Sequence, residues 1–179
     1  MRMNAVLFKE LLTYEDITRL PDGNYEVIDG ERRDMTPTGF EHGDLEGRFY
    51  ALLTRHFEGR GYVAVGEIGI LINRSPLRIR AADVVYISKT KTSQKPKGIL
   101  EIPPDLIIEI VSESNTQSEM TEKVKDYLSI GVERIVLVDP QTRTVSTYQK
   151  GKNEAFFCDF GNEFTLYEGL SLRMTDLLT

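Results

Sequence analysis

The chain has a single cysteine, Cys158, which excludes an internal disulfide and leaves no cysteine-based zinc site. No apolar run approaches the roughly 18 residues that a membrane-spanning helix needs. The opening MRMNAVLFKELL carries no signal-peptide apolar core. A cytoplasmic protein with no membrane association is therefore expected. Also missing are a Ser-His-Asp arrangement, a glycine-rich phosphate loop, an internal repeat and a linker-like tract. With 179 residues and none of these interruptions, one domain spanning 1–179 is expected.

Excess positive charge is lacking too: the net charge is −6, which by itself argues against a nucleic-acid partner. The distribution is uneven, however. Between Asn73 and Lys97 seven basic residues (Arg74, Arg78, Arg80, Lys89, Lys91, Lys95 and Lys97) stand against one acid, Asp83. Local field matters more to phosphate binding than the total. Lys89, Lys91, Lys95 and Lys97 are thus candidate nucleic-acid contacts, weighed against a merely solvated loop.

Thr13-Tyr-Glu-Asp16 reads as the start of a helix closed by Pro21. Asp29-Gly30 reads as a type I′ turn between two short strands. Leu45, Phe49, Leu52, Leu53 and Phe57 recur at helical spacing, predicting an amphipathic helix over about 40–59. Strands are predicted over 62–72 and 77–87. The 105–111 run, apolar on both faces, marks a central covered strand. Thr116-x-x-Glu119 is a capping box opening a helix to about 129. The strand at 133–138 completes a right-handed βαβ unit, and strands near 143–149, 154–160 and 164–167 follow. The pattern is α/β: a mixed sheet flanked by helices.

Three side chains break the apolar logic of this frame. Asp83 precedes Val84-Val85-Tyr86-Ile87, and Glu109 interrupts the run from Leu106 to Val111. A carboxylate in an apolar strand costs several kcal/mol unless it is paired or binds a metal. At about 100° per residue, Lys123 lies roughly 60° from Met120 on the sheet-facing side, whereas Lys125 points away. The helix starts just after the strand bearing Glu109, so Lys123 can approach both carboxylates. Hard oxygen ligands suit Mg²⁺, or Mn²⁺ in its place. A metal with a nearby ammonium supplies what phosphodiester hydrolysis requires. Asp83 and Glu109 are therefore expected as metal ligands and catalytic residues, and Lys123 as the group that orients or activates the attacking water. Glu67, in the middle of its strand, is expected as a further ligand or water positioner. Glu46 shares a helical stripe with His42, Phe49 and Leu53 and could reach the metal. His42 is a candidate substrate contact or a partner of a carboxylate.

Asp83-Val-Val on one strand, Glu109-Ile-Val on the next and the βαβ unit around them resemble the PD-(D/E)xK nuclease core. Position 111, where that core usually has lysine, holds Val111, and Lys123 matches members in which the lysine has moved to the following helix. More closely, YEVIDGE (25–31), EHG (41–43), ADVVYISK (82–89), DLIIEIVSES (105–114), EKVKDYLSIGVERIVLVDP (122–140) and VSTYQ (145–149) resemble the Uma family of restriction-endonuclease-like proteins. The resemblance implies a restriction-endonuclease-like fold, a divalent metal and DNA cleavage. Cutting both strands of a duplex needs two sites, so a homodimer is expected. Two alternatives stand beside this reading: a nuclease fold kept as a non-catalytic DNA- or protein-binding module, and a hydrolase of small phosphoesters.

Overall fold

The structure, a computed structural model, describes residues 11–20 and 23–179. Pro21, expected to close the first helix, lies outside them. That segment is a short 3₁₀ helix, Tyr14–Arg19, rather than an α-helix. The Asp16 carboxylate accepts from both the backbone N–H and the hydroxyl of Thr13, which tightens the turn at its start.

Strands β1 (Tyr25–Ile28) and β2 (Glu31–Asp34) form the expected hairpin. Asp29 and Gly30 have φ of 52° and 83°, both left-handed, as a type I′ turn demands. Helix α1 (Phe40–His56) follows, ending one turn earlier than its apolar spacing suggested. Then come β3 (Gly61–Arg74), β4 (Leu77–Ser88), β5 (Leu106–Ile110), α2 (Gln117–Ile130), β6 (Arg134–Asp139), β7 (Thr144–Gln149) and β8 (Phe156–Asp159). A small ribbon, β9 (Phe164–Tyr167) with β10 (Leu170–Leu172), and the turn α3 (Met174–Leu177) complete the chain.

The sheet runs β2-β1-β4-β5-β6-β7-β8, with β3 also paired to β4. All pairings are antiparallel except β5 with β6, the two strands that α2 connects. The sheet is therefore mixed, as expected. All five residues of β5 are buried because both faces are covered. Ile108 clusters with Leu45, Phe49 and Leu53 of α1 and with Leu166 and Met174 of the C-terminal segment. Ile107 clusters on the other face with Val124 and Tyr127 of α2. One long helix thus lies on each face, and the N-terminal parts of both approach the same end of β5. No helix among the described residues is long and apolar enough to cross a membrane.

The long β3–β4 hairpin depends on a glycine. Gly61 pairs with Ser88, and a Cβ there would collide with the Tyr86 ring and the Ile87 carbonyl. The ring cannot give way, because it stacks on Phe57 with 4.2 Å between centroids. Gly61→Ala is expected to cost about 2 kcal/mol or more, in the range for overpacking a filled core. Urea unfolding measures it; a loss below about 0.5 kcal/mol would show that the ring has room to move.

Candidate active site

The ladder between β4 and β5 ends at Val84 and Ile108. Asp83 and Glu109 are the next residues on their strands, one step beyond the last pair. There the Asp83 carboxylate takes over from the backbone: its Oδ2 accepts the N–H of Ile110 at 2.6 Å. That bond fixes the side chain and leaves Oδ1 directed elsewhere.

The opposite neighbour, β3, is bulged at this level. Val65 pairs with Val84 and Ile68 with Ala82, so Gly66 and Glu67 together face the single residue Asp83. Gly66 (φ 91°) and Glu67 (φ 57°) are both in the left-handed region. For glutamate this costs roughly 1–2 kcal/mol, and bulges of this kind re-aim side chains. Glu67 Oε2 is buried and has no hydrogen-bond partner. Burial, reinforced by Asp83 and opposed by Lys123 and His42, pushes the Glu67 carboxyl up to about 7. Glu67→Gly removes both the strained conformation and the unpartnered carboxylate. It is expected to gain about 1 kcal/mol of stability in cation-free buffer, net of the added freedom of the unfolded chain. Urea unfolding in EDTA tests this, and a loss would mean that the carboxylate holds the bulge together.

Helix α1 supplies the next layer. Its apolar stripe of Leu45, Phe49 and Leu53 sets its rotation, which turns His42 and Glu46, one turn apart, toward Asp83. His42 Nε2 lies 3.3 Å from Asp83 Oδ1 and 3.4 Å from Glu46 Oε1. Burial opposes a charge on His42, but Asp83, Glu46 and Glu67 outweigh it and raise the imidazole above its ordinary range. Burial and the Asp83 charge raise Glu46 as well.

On the other face, α2 delivers Lys123. Thr116 caps the helix, with its N–H and hydroxyl both donating to Glu119, and Gly131 ends it in the left-handed region. Lys123 is buried and Lys125 exposed, as their helical positions predicted. Lys123 Nζ donates to Glu109 Oε2 at 2.8 Å and to the carbonyl of Ala81 at 2.9 Å. It also stands 3.5 Å from Glu26 Oε1. The second Glu109 oxygen accepts from the Tyr127 hydroxyl at 2.6 Å. Burial raises Glu109 to about 8 despite Lys123 and Tyr127. Burial works against the Lys123 charge, but Glu109, Glu26 and Asp83 raise it above the usual lysine value.

Asp83, Glu67 and Glu109 therefore flank the fork between β4 and β5. The group at metal-ligand spacing among the described residues is His42, Glu46 and Asp83, with ligand atoms within 4.8 Å of one another. Glu109 has both oxygens engaged by Lys123 and Tyr127 instead. Two participants escaped the sequence reading. Tyr127 reads as core, and it is core; but a buried phenol needs an acceptor, and one helical turn from Lys123 that acceptor is Glu109. Glu26 reads as part of the hairpin, yet it accepts from Arg80 and from the Ala81 N–H. No local pattern signals this, since it depends on β1 lying beside β4.

The basic segment looks different in three dimensions. Arg78 is tied to Asp29, Glu122 and Asp126, Arg80 to Glu26 and Asp126, and Arg74 to Glu101. Lys91 is held by Asp105 and the carbonyls of Pro103 and Pro104. Lys89, Lys95 and Lys97 are exposed and have no ion-pair partner among the described residues. Lys89 follows Asp83 by six residues of strand and turn, roughly 20 Å at the rise of a strand.

A mixed sheet with one helix on each face, acids gathered at the fork of two central strands and a lysine arriving from the next helix define a restriction-endonuclease-like α+β protein. The chain belongs to the Uma2 family: the family's model, described as "Putative restriction endonuclease", matches residues 9–176. The fold is similar to that of a crystal structure described as a "putative nuclease" from Anabaena variabilis. The TM-score is 0.80 and the identity 18%, covering 93% of this chain and 97% of that one. No curated protein matches the chain.

Proposed function

We propose that the protein is a divalent-cation-dependent endonuclease that hydrolyses DNA phosphodiester bonds, with its reaction centre at Asp83. The observation that carries this reading is the convergence of Asp83, Glu46 and His42 at one fork, beside the bulge that holds Glu67 with its Oε2 buried and unpartnered. So many acceptors gathered beside one another, with a buried oxygen lacking any donor, fit a cation as the missing partner. Mg²⁺ or Mn²⁺ is the expected class. A cation held there would polarise a phosphate oxygen and lower the pKa of a water.

The chain's own residues divide the remaining work. Ile110 N–H holds Asp83 with Oδ1 toward the site. The bulge presents Glu67, whose unpartnered oxygen can orient the attacking water. In this conformation Lys123 gives two of its three donors to Glu109 and Ala81 and stands 3.5 Å from Glu26. Its part is then to hold Glu109 and to set a positive charge beside the phosphate position, rather than to touch the water. Because a duplex has two strands, we infer a homodimer when both are cut.

The test is plasmid nicking by wild type against Asp83→Asn, with and without EDTA. Metal-dependent nicking that is lost in the folded variant supports the assignment; equal nicking by both proteins removes it. A non-catalytic binding module is the second reading, favoured by the pairing of both Glu109 oxygens and of four of the seven basic residues. Charge reversal at Lys89, Lys95 and Lys97 separates the two. If wild type never nicks and the variant loses DNA retention, the protein is a binding module; if the variant loses nicking together with retention, it is a nuclease.

A further inference from the structure

We propose that His42 is a metal ligand, so that the cation site is a mixed nitrogen–oxygen set of His42 Nε2, Glu46 Oε1 and Asp83 Oδ1 that selects a first-row transition ion over Mg²⁺. The inference takes the place of the cation from the reading above and adds the ligands and the class of metal.

The spacing carries it. The three atoms lie within 4.8 Å of one another, and His42 Nε2 stands 3.3 and 3.4 Å from the two oxygens. Both contacts are long for a ring N–H donor, and Nε2, buried between the two oxygens, makes a well-formed hydrogen bond to neither. That leaves a buried nitrogen charge-paired but without the short, aligned partner that a structural histidine usually has. It is well placed as a ligand. Donors about 2.0–2.1 Å from a cation, at octahedral or tetrahedral angles, sit roughly 2.9–3.4 Å apart.

The supports around the set point the same way. His42 and Glu46 sit one turn apart on α1, whose rotation is locked by Leu45, Phe49 and Leu53. Asp83 has its other oxygen fixed by Ile110 N–H, the kind of outer contact that orients a ligating carboxylate. Glu67 Oε2, independently, is a buried acceptor with no donor on the bulge opposite Asp83. The buried ammonium of Lys123 gives its hydrogen bonds to Glu109 and to the Ala81 carbonyl, and none to His42, Glu46 or Asp83.

The donor types then decide the metal. Mg²⁺ prefers oxygen and keeps much of its water. Imidazole raises affinity for Mn²⁺, Co²⁺, Ni²⁺ and Zn²⁺ in the order of their general preference for nitrogen.

The experiment titrates the full chain with Co²⁺ and with Mg²⁺. Visible absorption and calorimetry give the affinities, and pulsed EPR of the Mn²⁺-loaded protein reads the ligands. Wild type is expected to bind Co²⁺ at least ~100-fold more tightly than Mg²⁺ and to show ¹⁴N coupling to Mn²⁺. His42→Asn is expected to lose ~10–100-fold of Co²⁺ affinity and the ¹⁴N coupling. The coupling in wild type needs no variant, so a folding defect in His42→Asn cannot mask the answer. Absence of ¹⁴N coupling, or unchanged Co²⁺ affinity in a folded His42→Asn, overturns the proposal even if Mg²⁺ supports nicking. If Co²⁺ binds through His42 and no metal supports nicking, the ligand set stands and the nuclease reading falls.

Discussion

Above pH 8, where Glu109 carries its charge, Lys123→Met is expected to destabilise the protein by about 3–5 kcal/mol, the range for removing one partner of a buried ion pair. The Glu109 carboxylate is 2% exposed, and its donors are Lys123 at 2.8 Å and Tyr127 at 2.6 Å. Without the ammonium, a buried charge remains with one phenol to satisfy it. Glu109 can escape by taking a proton, which gives the deficit a pH dependence. Burial already holds its folded pKa at about 8, above the unfolded value, so the native state binds the extra proton. Stability from that difference is fully present below the unfolded pKa and lost as pH rises toward the folded one. The variant raises the folded value further, so its deficit is smallest near pH 5 and largest above pH 8. Urea unfolding across that range measures it. Adding Glu109→Leu should recover much of the loss, because the pair goes together. A single variant as stable as wild type at pH 8 would mean that the pair is not buried as described. A loss of nicking in Lys123→Ala consequently says little about chemistry unless the folded fraction is measured beside it.

Asp83→Asn is expected to lower metal-dependent nicking by about 10³-fold, roughly 4 kcal/mol of barrier. Its effect on folding should be small. The asparagine carbonyl can still accept the Ile110 N–H, so the fork between β4 and β5 keeps its closure. Removing a charge beside Glu46 and Glu67 also relieves repulsion, since Asp83 raises both carboxyls. The contrast with Lys123 is the useful part: one substitution separates stability from activity, and the other cannot. Nicking rate and urea midpoint measured on the same preparation decide it. A variant with the wild-type rate would remove Asp83 from the reaction centre. A variant that unfolds would show that its negative charge, not only its acceptor, holds the strands.

How much of this was legible in the chain follows the range of the interactions. Asp29-Gly30, the capping box at Thr116 and Glu119, and the βαβ unit around α2 are set by neighbours within a few residues, and all three stand where local chemistry puts them. A carboxylate inside an apolar run marks itself in sequence because burial without a partner is costly, so Asp83 and Glu109 were conspicuous. Lys123 was too, because helical phase places it on the apolar side. The basic segment misled for the opposite reason. Charge counted along the chain takes no account of partners from elsewhere, and Glu26, Asp29, Glu101, Asp105, Glu122 and Asp126 come from elsewhere.

By itself, then, the sequence determined the order of strands and helices, the central place of β5 and the acids that must find a partner. Tertiary structure decided which partner each one found. It set Glu109 against Lys123 and Tyr127, turned Glu67 through a bulge, and brought His42 and Glu46 of α1 over Asp83. Propensity and periodicity act over a few residues, whereas a site of this kind needs side chains from β3, β4, β5, α1 and α2 within a few ångströms. Only the packing of both helices against one sheet fixes those distances.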